Sequence, residues 1–128
     1  MKISILGASG IGKFHARNFA KLNVEIKSIL CSSEFSGKKT SKALKDSFGL
    51  EVDYFDDLEI LLNKSSPDAV VISTPNKFHY EQIIKVLDKK IPIFCEKPLF
   101  WDKKDNHKTF LKKLKLLADH PNRAIFVN

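Results

Sequence analysis

The sequence predicts an α/β fold, in which a doubly wound parallel sheet of about six strands carries helices on both faces. Short apolar runs alternate with amphipathic stretches along the whole chain. The run from Ala69 to Ile72 is apolar at four successive positions, which is typical of a strand buried on both faces of a parallel sheet. A length of 128 residues with 43% hydrophobic residues suits one domain, residues 1–128.

The individual elements follow from the hydrophobic period and from the turn residues. We predict strands at residues 2–7, 24–30, 51–54, 68–73, 91–95 and 123–127. We predict helices at residues 10–22, 37–48, 57–64, 77–89 and 104–118. The segments SSEFSGKK and NKSSPD are predicted as loops between these elements.

Capping residues and apolar stripes support the predicted helices. Asp56 stands three residues before Glu59, which indicates a capping box, and Asn76 is predicted to cap a helix that begins at Lys77. The last helix has apolar residues at helical spacing, and we expect them to face the core. They are Phe110, Leu111, Leu114, Leu117 and Ala118.

Composition narrows the possible functions. The net charge is +7, but the lysine clusters lie mostly on the polar faces of predicted helices, without the interleaved aromatic residues of a single-strand nucleic-acid binder. We therefore expect a solvated surface and no nucleic-acid partner. No apolar run approaches the roughly 18 residues of a membrane span, and we expect no cleavable leader before the first strand. Two cysteines are too few for a disulfide scaffold, so we expect a reducing, cytoplasmic location.

The expected strand order is 3-2-1-4-5-6, and ligands of such sheets bind at the carboxyl ends of the strands. Cys31 and Cys95 would then end strands that are three steps apart, or roughly 14 Å at about 4.8 Å per step. Because a disulfide needs Cα atoms within about 7 Å, we predict two free thiols. His15, His79 and the two cysteines lack the close paired spacing of a zinc motif, so no metal site is predicted.

The segment GASGIGKFHA has three glycines directly after the first strand, in the spacing G-x-x-G-x-G. Alone, it fits either a phosphate-binding turn or a turn that serves only tight strand-to-helix packing. Two further segments at the same predicted edge are STPNKFH after strand four and EKP after strand five.

Together, in this order, the three segments resemble the N-terminal half of the Gfo/Idh/MocA family of NAD(P)-dependent sugar oxidoreductases. The resemblance covers essentially the whole chain and implies a Rossmann fold without the family's C-terminal substrate domain. It places Gly7, Ser9 and Gly12 on the three fingerprint positions and leaves Gly10 in a free slot. Ser9 thus replaces the glycine that normally lets the backbone approach the pyrophosphate, and its hydroxyl could bond a phosphate instead.

The resemblance also implies site residues. It makes Lys97 the catalytic residue, because an ammonium that donates to a ketone oxygen stabilises the alkoxide charge that develops during hydride transfer. It places the segment Thr74–His79 beside the nicotinamide ribose, and we expect His79 to face the crevice. The predicted cofactor-binding residues are Gly7, Ser9, Gly10, Ile11, Gly12, Cys31, Ser32, Ser33, Lys38, Thr74, Pro75, Asn76, His79, Glu96, Lys97 and Pro98.

The end of the second strand predicts the cofactor. NAD-specific proteins of this fold hold the ribose 2′-hydroxyl with an acidic residue there. Here Cys31 occupies that place, hydroxyl residues follow it, and Lys38 and Lys39 come close behind. Hydroxyl and ammonium groups suit a 2′-phosphate, which predicts NADP(H) over NAD(H). A shift of one residue that brought Glu34 into the site would restore an acid and favour NAD.

Three functions therefore compete. The first is the NAD(P)-binding part of an oxidoreductase that acts on a sugar, a cyclitol or a related polyol. The second is a dinucleotide-binding module without catalysis, and the third, a basic nucleic-acid binder, depends only on net charge. Because nothing in the chain would hold a substrate, we expect the chain alone to bind dinucleotide without oxidising polyols. The sequence leaves the substrate and the oligomeric state open.

Overall fold

The computed structural model describes the whole chain, residues 1–128. Its elements are β1 (Lys2–Leu6), α1 (Gly12–Lys21), β2 (Glu25–Leu30), α2 (Glu34–Phe48), β3 (Asp53–Phe55), α3 (Leu58–Ser65), β4 (Ala69–Ile72), α4 (His79–Asp88), β5 (Ile93–Cys95), α5 (His107–Ala118) and β6 (Ile125–Val127). A turn of 3-10 helix, Asn76–Phe78, precedes α4. Each predicted strand and helix is confirmed in kind, with different ends.

The six strands form one sheet in the order β3-β2-β1-β4-β5-β6, and every neighbouring pair is parallel. The predicted doubly wound topology is therefore confirmed. The order reverses between β1 and β4, so the chain leaves these two strands in opposite directions and a crevice opens at their carboxyl ends. Cys31 and Cys95 are both free, as predicted.

Two apolar cores lie on the two faces of the sheet. One contains Ile3, Ile5 and residues of α1 and α2, and the other contains Leu6 and residues of α3 and α4. In β4, Val70 and Ile72 belong to one core and Val71 to the other. The prediction that β4 is buried on both faces is thus confirmed, and alternation along the strand is the reason.

Three buried hydroxyls connect β1, β2 and α3 inside the apolar interior. Ser4 Oγ lies 2.7 Å from Ser28 Oγ, and Ser65 donates to Ser28 over 2.8 Å. Each hydroxyl has a partner, so none leaves an unpaired polar group in the core.

The start of α2 differs from the prediction. The helix begins at Glu34, three residues before the expected position, so the interpretation of SSEFSGKK as a loop is wrong for most of its length. Ser33 and Ser36 form a capping box, in which each side chain accepts a hydrogen bond from the other's backbone N–H. Serine thus fills the place that usually holds Glu or Gln.

Two other predicted caps are wrong. Asp57, and not Asp56, accepts the hydrogen bond from Ile60 N at the start of α3. Asn76 makes no capping bond, because it lies inside the 3-10 turn that separates Pro75 from α4. Neighbouring aspartates and a preceding proline each shift a helix start by one or two residues, which a spacing rule does not resolve.

The apolar stripe of α5 is mostly uncovered. Only Leu117 is buried and Phe110 is half-buried, whereas Leu111 and Leu114 are 47% and 41% exposed, and Ala118 is exposed too. The prediction that all five residues face the core is therefore wrong. The helix lies at the end of the sheet where β5 and β6 have three residues each, so there is little sheet surface for it to cover. No helix of the chain is both long enough and apolar enough to cross a bilayer.

Candidate functional site

A cleft of about 500 Å³ opens at the carboxyl ends of β1, β2 and β4. The predicted site residues that the structure brings together around it are Gly7, Ser9, Cys31, Ser32, Thr74 and Pro75. Sequence reasoning missed six others that line it: Ala8, Leu30, Ser36, Thr40, Phe78 and Gln82. Ser36 and Thr40 were missed because the expected start of α2 was too late, and the pair Ser33 and Ser36 was the available signal.

The glycine turn after β1 leaves its backbone donors free. The N–H groups of residues 9–12 donate no hydrogen bond within the chain, and no side chain caps α1. No acidic residue occupies the first turn of α1. Free N–H groups at the start of a ten-residue helix form a site that suits a phosphate.

Two of the three glycines are required by close packing. Gly7 has φ +86°, and a Cβ there would lie 2.8 Å from Thr74 N. A Cβ on Gly12 would lie 2.3 Å from the carbonyl oxygen of Gly7 and 2.4 Å from Ser73 Oγ. A Cβ on Gly10 would meet nothing within 4 Å. The turn therefore needs glycine at two of the predicted fingerprint positions and not at the free slot.

A second cleft, of about 430 Å³, continues from the first between α1 and α2. It shares Ser9, Ser36 and Thr40 with the first cleft and adds two ammonium groups, those of Lys13 and Lys39. Lys38, which we predicted as the binding lysine, is exposed and lines neither cleft. The reason is helix phase, because Lys39 shares a face of α2 with Ser36, Ala43 and Ser47, whereas Lys38 lies about 100° away from it.

Cys31 stands at the end of β2, where its backbone N–H donates to Phe55 O over 2.8 Å. Burial raises the pKa of its thiol above the ordinary value, and hydrogen bonds with Thr40 and Ser36 offset only part of this effect. The place of the usual acid is therefore uncharged at neutral pH. Glu34 lies on the exposed first turn of α2 and lines neither cleft, and the hydroxyl of Ser33 is used in the helix cap.

The loop after β4 is tied to its neighbours. Ser73 Oγ donates to the carbonyl oxygens of Leu6 and Gly7, and Thr74 Oγ1 donates to Gln82. Asn76 does not line the main cleft. It lines a separate hollow of about 280 Å³ together with Lys77 and residues 101–104.

His79 is completely buried, so the prediction that it faces the crevice is wrong. Its Nε2 lies 2.7 Å from Thr74 O, and its Nδ1 lies 3.1 Å from Pro98 O and 3.2 Å from Leu99 O. Carbonyl oxygens only accept, and a neutral imidazole has a single N–H, so the ring donates to one loop at a time, through Nε2 or through Nδ1. Nδ1 also lies 3.5 Å from Cys95 Sγ. The ring thus lies beneath the loops after β4 and β5, within hydrogen-bond distance of backbone oxygens of both.

Glu96 is held by two side chains from distant parts of the chain. Its Oε1 lies 2.6 Å from His15 Nε2 of α1 and accepts from Asn128 Nδ2 over 2.7 Å. Burial acts to raise the pKa of Glu96, but the bonds with His15 and Asn128 outweigh it and hold the pKa below its ordinary value. Glu96 is therefore an ionised partner for His15 at neutral pH.

Lys97 is exposed, and its side chain makes no hydrogen bond or ion pair within the chain. It precedes Pro98 through a cis peptide bond, and Pro98 is exposed as well. Neighbouring Cys95 is buried, and desolvation raises the pKa of its thiol to about 12. No group of three His, Cys, Asp or Glu side chains is arranged to hold a metal ion.

Comparison with known proteins agrees with this architecture. The model of the GFO_IDH_MocA family, described as an oxidoreductase family with an NAD-binding Rossmann fold, matches residues 1–127. The chain belongs to this family. It is 30% identical over 99 residues to D-glucoside 3-dehydrogenase of Escherichia coli, covering 77% of this chain and 27% of that protein.

Other relatives are named as inositol dehydrogenases. Over 105 residues the chain is 32% identical to inositol 2-dehydrogenase/D-chiro-inositol 3-dehydrogenase of Lactiplantibacillus plantarum, covering 80% of this chain and 29% of that protein. A crystal structure of scyllo-inositol dehydrogenase from Lactobacillus casei with bound NAD(H) and scyllo-inositol superposes with a TM-score of 0.77 at 25% identity, covering 100% of this chain and 36% of the other. The chain thus spans about a third of its relatives, not the half that we expected.

Proposed function

We propose that this chain is the NAD(P)-binding part of an oxidoreductase that transfers hydride between a nicotinamide cofactor and a sugar, a cyclitol or a related polyol. The observation that carries the proposal is the glycine turn, which leaves the N–H groups of residues 9–12 free beside the cleft where the strand order reverses. The family match supports the cofactor class. The relatives named as glucoside and inositol dehydrogenases support the substrate class.

The residues of the cleft fit a dinucleotide. The N–H groups of residues 9–12 would hold the pyrophosphate, and Cys31, Ser36 and Thr40 would surround the adenosine ribose. The loops after β4 and β5 would border the nicotinamide, which supplies or accepts the hydride when bound. Lys97 would donate to the substrate oxygen and stabilise the negative charge that develops there.

We further propose that NADP(H) binds more tightly than NAD(H). Lys13 and Lys39 line the second cleft together with the hydroxyls of Ser9 and Ser36, and Cys31 brings no negative charge. Charge-assisted bonds from these groups suit a 2′-phosphate. In calorimetric titrations we expect Lys39→Ala to lower NADPH affinity about tenfold and to leave NADH affinity unchanged. Lys38→Ala, one residue away but outside the cleft, is the matched control and should change neither affinity. NADH binding as tight as NADPH binding by the unmodified chain would contradict the preference.

We propose that the chain alone binds dinucleotide but does not turn over polyols. Lys97 lines none of the three clefts described, so nothing in the chain holds a sugar next to it. The same observation keeps a non-catalytic dinucleotide-binding module as the second candidate. Reduction of NADP with inositol or glucose, measured by absorbance of NADPH with chain of verified mass, should stay at background. Robust turnover would show that the domain carries a complete site. We also propose a cytoplasmic location, which the two free thiols support.

A further inference from the structure

Lys97 has no side-chain partner of its own, yet the residues on both sides of it are fixed. The residue before it, Glu96, and the two after it, Pro98 and Leu99, are bonded to side chains from other elements. The loop that presents Lys97 is therefore held at both ends by groups that lie outside the loop.

The first anchor is Glu96 with its two partners. The side chains of His15 and Glu96 are only 14% and 13% exposed, so their bond is largely shielded from water. Asn128 adds a side-chain bond to Glu96, and its backbone N–H donates to Cys95 O over 2.9 Å. The backbone N–H of Lys97 also lies near the Glu96 carboxylate and contributes to lowering its pKa. Helix α1, the end of β6 and the backbone of Lys97 thus meet at one carboxylate.

The second anchor is His79. Nε2 contacts Thr74 O of the loop after β4, and Nδ1 contacts Pro98 O and Leu99 O of the loop after β5 as well as Cys95 Sγ. One of the two nitrogens donates its proton, and the ring packs against both loops. The ring is fully buried, so water does not compete for these carbonyls. One side chain therefore fixes the distance between the two loops that border the crevice.

We propose that His15 and His79 are positioning residues for Lys97. His15 fixes the start of the EKP loop through Glu96, and His79 fixes its end relative to the loop after β4. Neither ring contacts the ligand in this assignment. The assignment rests on the proposed function, because Lys97 needs a position only if a cofactor and a substrate meet beside it.

Each histidine makes its contacts through identified ring nitrogens, so amide variants can remove the contacts of one nitrogen and keep those of the other. The amide nitrogen of asparagine can stand near the place of Nδ1, and that of glutamine near the place of Nε2. Because His15 acts through Nε2, His15→Gln should keep the bond to Glu96 and His15→Asn should lose it. His79→Gln should keep the contact with Thr74 O and lose those with Pro98 O and Leu99 O. His79→Asn should do the reverse.

Amide hydrogen exchange followed by NMR tests the anchors without any ligand. We expect His15→Asn to speed exchange at Glu96 and Lys97 about tenfold, and His15→Gln to stay near the unmodified rate. His79→Gln should speed exchange at Lys97 and Leu99, and His79→Asn at residues 73 and 74. His120→Asn is the control, because His120 bonds Asn122 and Asp88, which lie in the segments that precede β6 and β5 and not in the loops that follow the strands. Equal acceleration at all amides would show general destabilisation and overturn the proposal, as would unchanged rates in the loop.

A second measurement separates positioning from mere support of the fold. The affinities of NADPH and of 2′-phospho-ADP-ribose, which lacks nicotinamide, are compared by calorimetry for each variant. We expect His15→Asn and His79→Gln to weaken NADPH several-fold and to leave the fragment unchanged. Faster loop exchange with an unaltered affinity ratio would overturn the positioning role. If the unmodified chain binds neither ligand, the proposed function fails, and the positioning role, which rests on it, fails with it. The exchange data would then still show whether the two anchors exist, so the two failures are distinguishable.

Discussion

The two halves of the crevice are built in different ways. The half formed by residues 7–13 and 31–40, here called the open half, is shaped by glycines and by free backbone donors. The half formed by residues 73–79 and 96–99, here called the anchored half, is held by its own buried His79 and by His15 and Asn128, which bond Glu96 from α1 and from the end of β6. The open half presents unpaired backbone N–H groups to a ligand, whereas Glu96 and His79 of the anchored half contact other groups of the chain.

Substitutions in the two halves should therefore act on different properties of the chain. In the open half, a side chain such as Lys39 can be changed without touching the backbone of the turn, so the effect should fall on ligand affinity. In the anchored half, a change at His79 or Glu96 removes a support of the loop and reaches Lys97 indirectly.

The largest effect is expected at the tightest point of the open half. Gly12→Ala would place a Cβ 2.3 Å from Gly7 O, so we expect the free energy of unfolding to fall by about 3 kcal/mol and dinucleotide binding to be lost. Gly10→Ala meets no atom within 4 Å and should change stability by less than about 0.5 kcal/mol. Urea unfolding and calorimetry check both. Equal losses for the two variants would mean that the backbone does not set the shape of the open half.

The second prediction concerns the stability of the anchored half at low pH. The pKa of Glu96 is lowered from 4.5 in the folded chain, so its stabilising contribution is complete above that value and is lost as the pH falls through the folded pKa. Glu96→Gln should lower the free energy of unfolding at pH 7 by about 1–2 kcal/mol and make it depend less on pH below 4.5. Glu59→Gln, which removes an exposed ion pair with Lys89, should cost less than about 0.5 kcal/mol. If the free energy of unfolding of Glu96→Gln depends on pH in the same way as that of the unmodified chain, this carboxylate does not act as an anchor.

A smaller effect sharpens the cofactor assignment of the open half. Cys31→Asp restores a carboxylate that accepts from a ribose 2′-hydroxyl and repels a 2′-phosphate, so the ratio of NADPH to NADH affinity should fall about tenfold or more. Cys31→Ser adds no charge and should keep the ratio of the unmodified chain. Competitive titration of the two cofactors measures both. If the ratio of NADPH to NADH affinity does not change in Cys31→Asp, the adenosine ribose does not lie beside residue 31.

The smallest expected effect is a difference in chemical reactivity between the two thiols. Cys31 in the open half is half-buried, whereas Cys95 beneath the anchored half is fully buried and has a pKa of about 12. We expect a thiol reagent at pH 8 to modify Cys31 slowly in the folded chain and Cys95 only after unfolding, since the thiolate is the reactive form. Mass spectrometry of the labelled peptides resolves the sites. Labelling of both thiols at one rate would argue against rigid burial of the anchored half.

Which features could be predicted from the sequence depended on how far apart along the chain the interacting residues lie. The alternation of buried strands and amphipathic helices predicted the elements, and the handedness of parallel connections predicted the strand order. Gly7 and Gly12 could be assigned because a turn this tight between strand and helix excludes a side chain. The prediction of Lys38 as the binding lysine failed, because the packing of α2 against α1 decides which helix face lines the cleft, and that face contains Lys39.

The α/β class, the six-stranded order, the glycine turn and the end of the sheet at which the unusual residues meet could all be predicted from the residues alone. These features follow from local periodicity and from the fixed hand of the chain. Three features became visible only in the folded chain: His79 is buried between two loops, His15 and Asn128 both bond Glu96, and the leucines of α5 other than Leu117 are uncovered. Such contacts join residues up to 81 positions apart, and their geometry is set by how the helices pack on the sheet, which no pattern along the chain records.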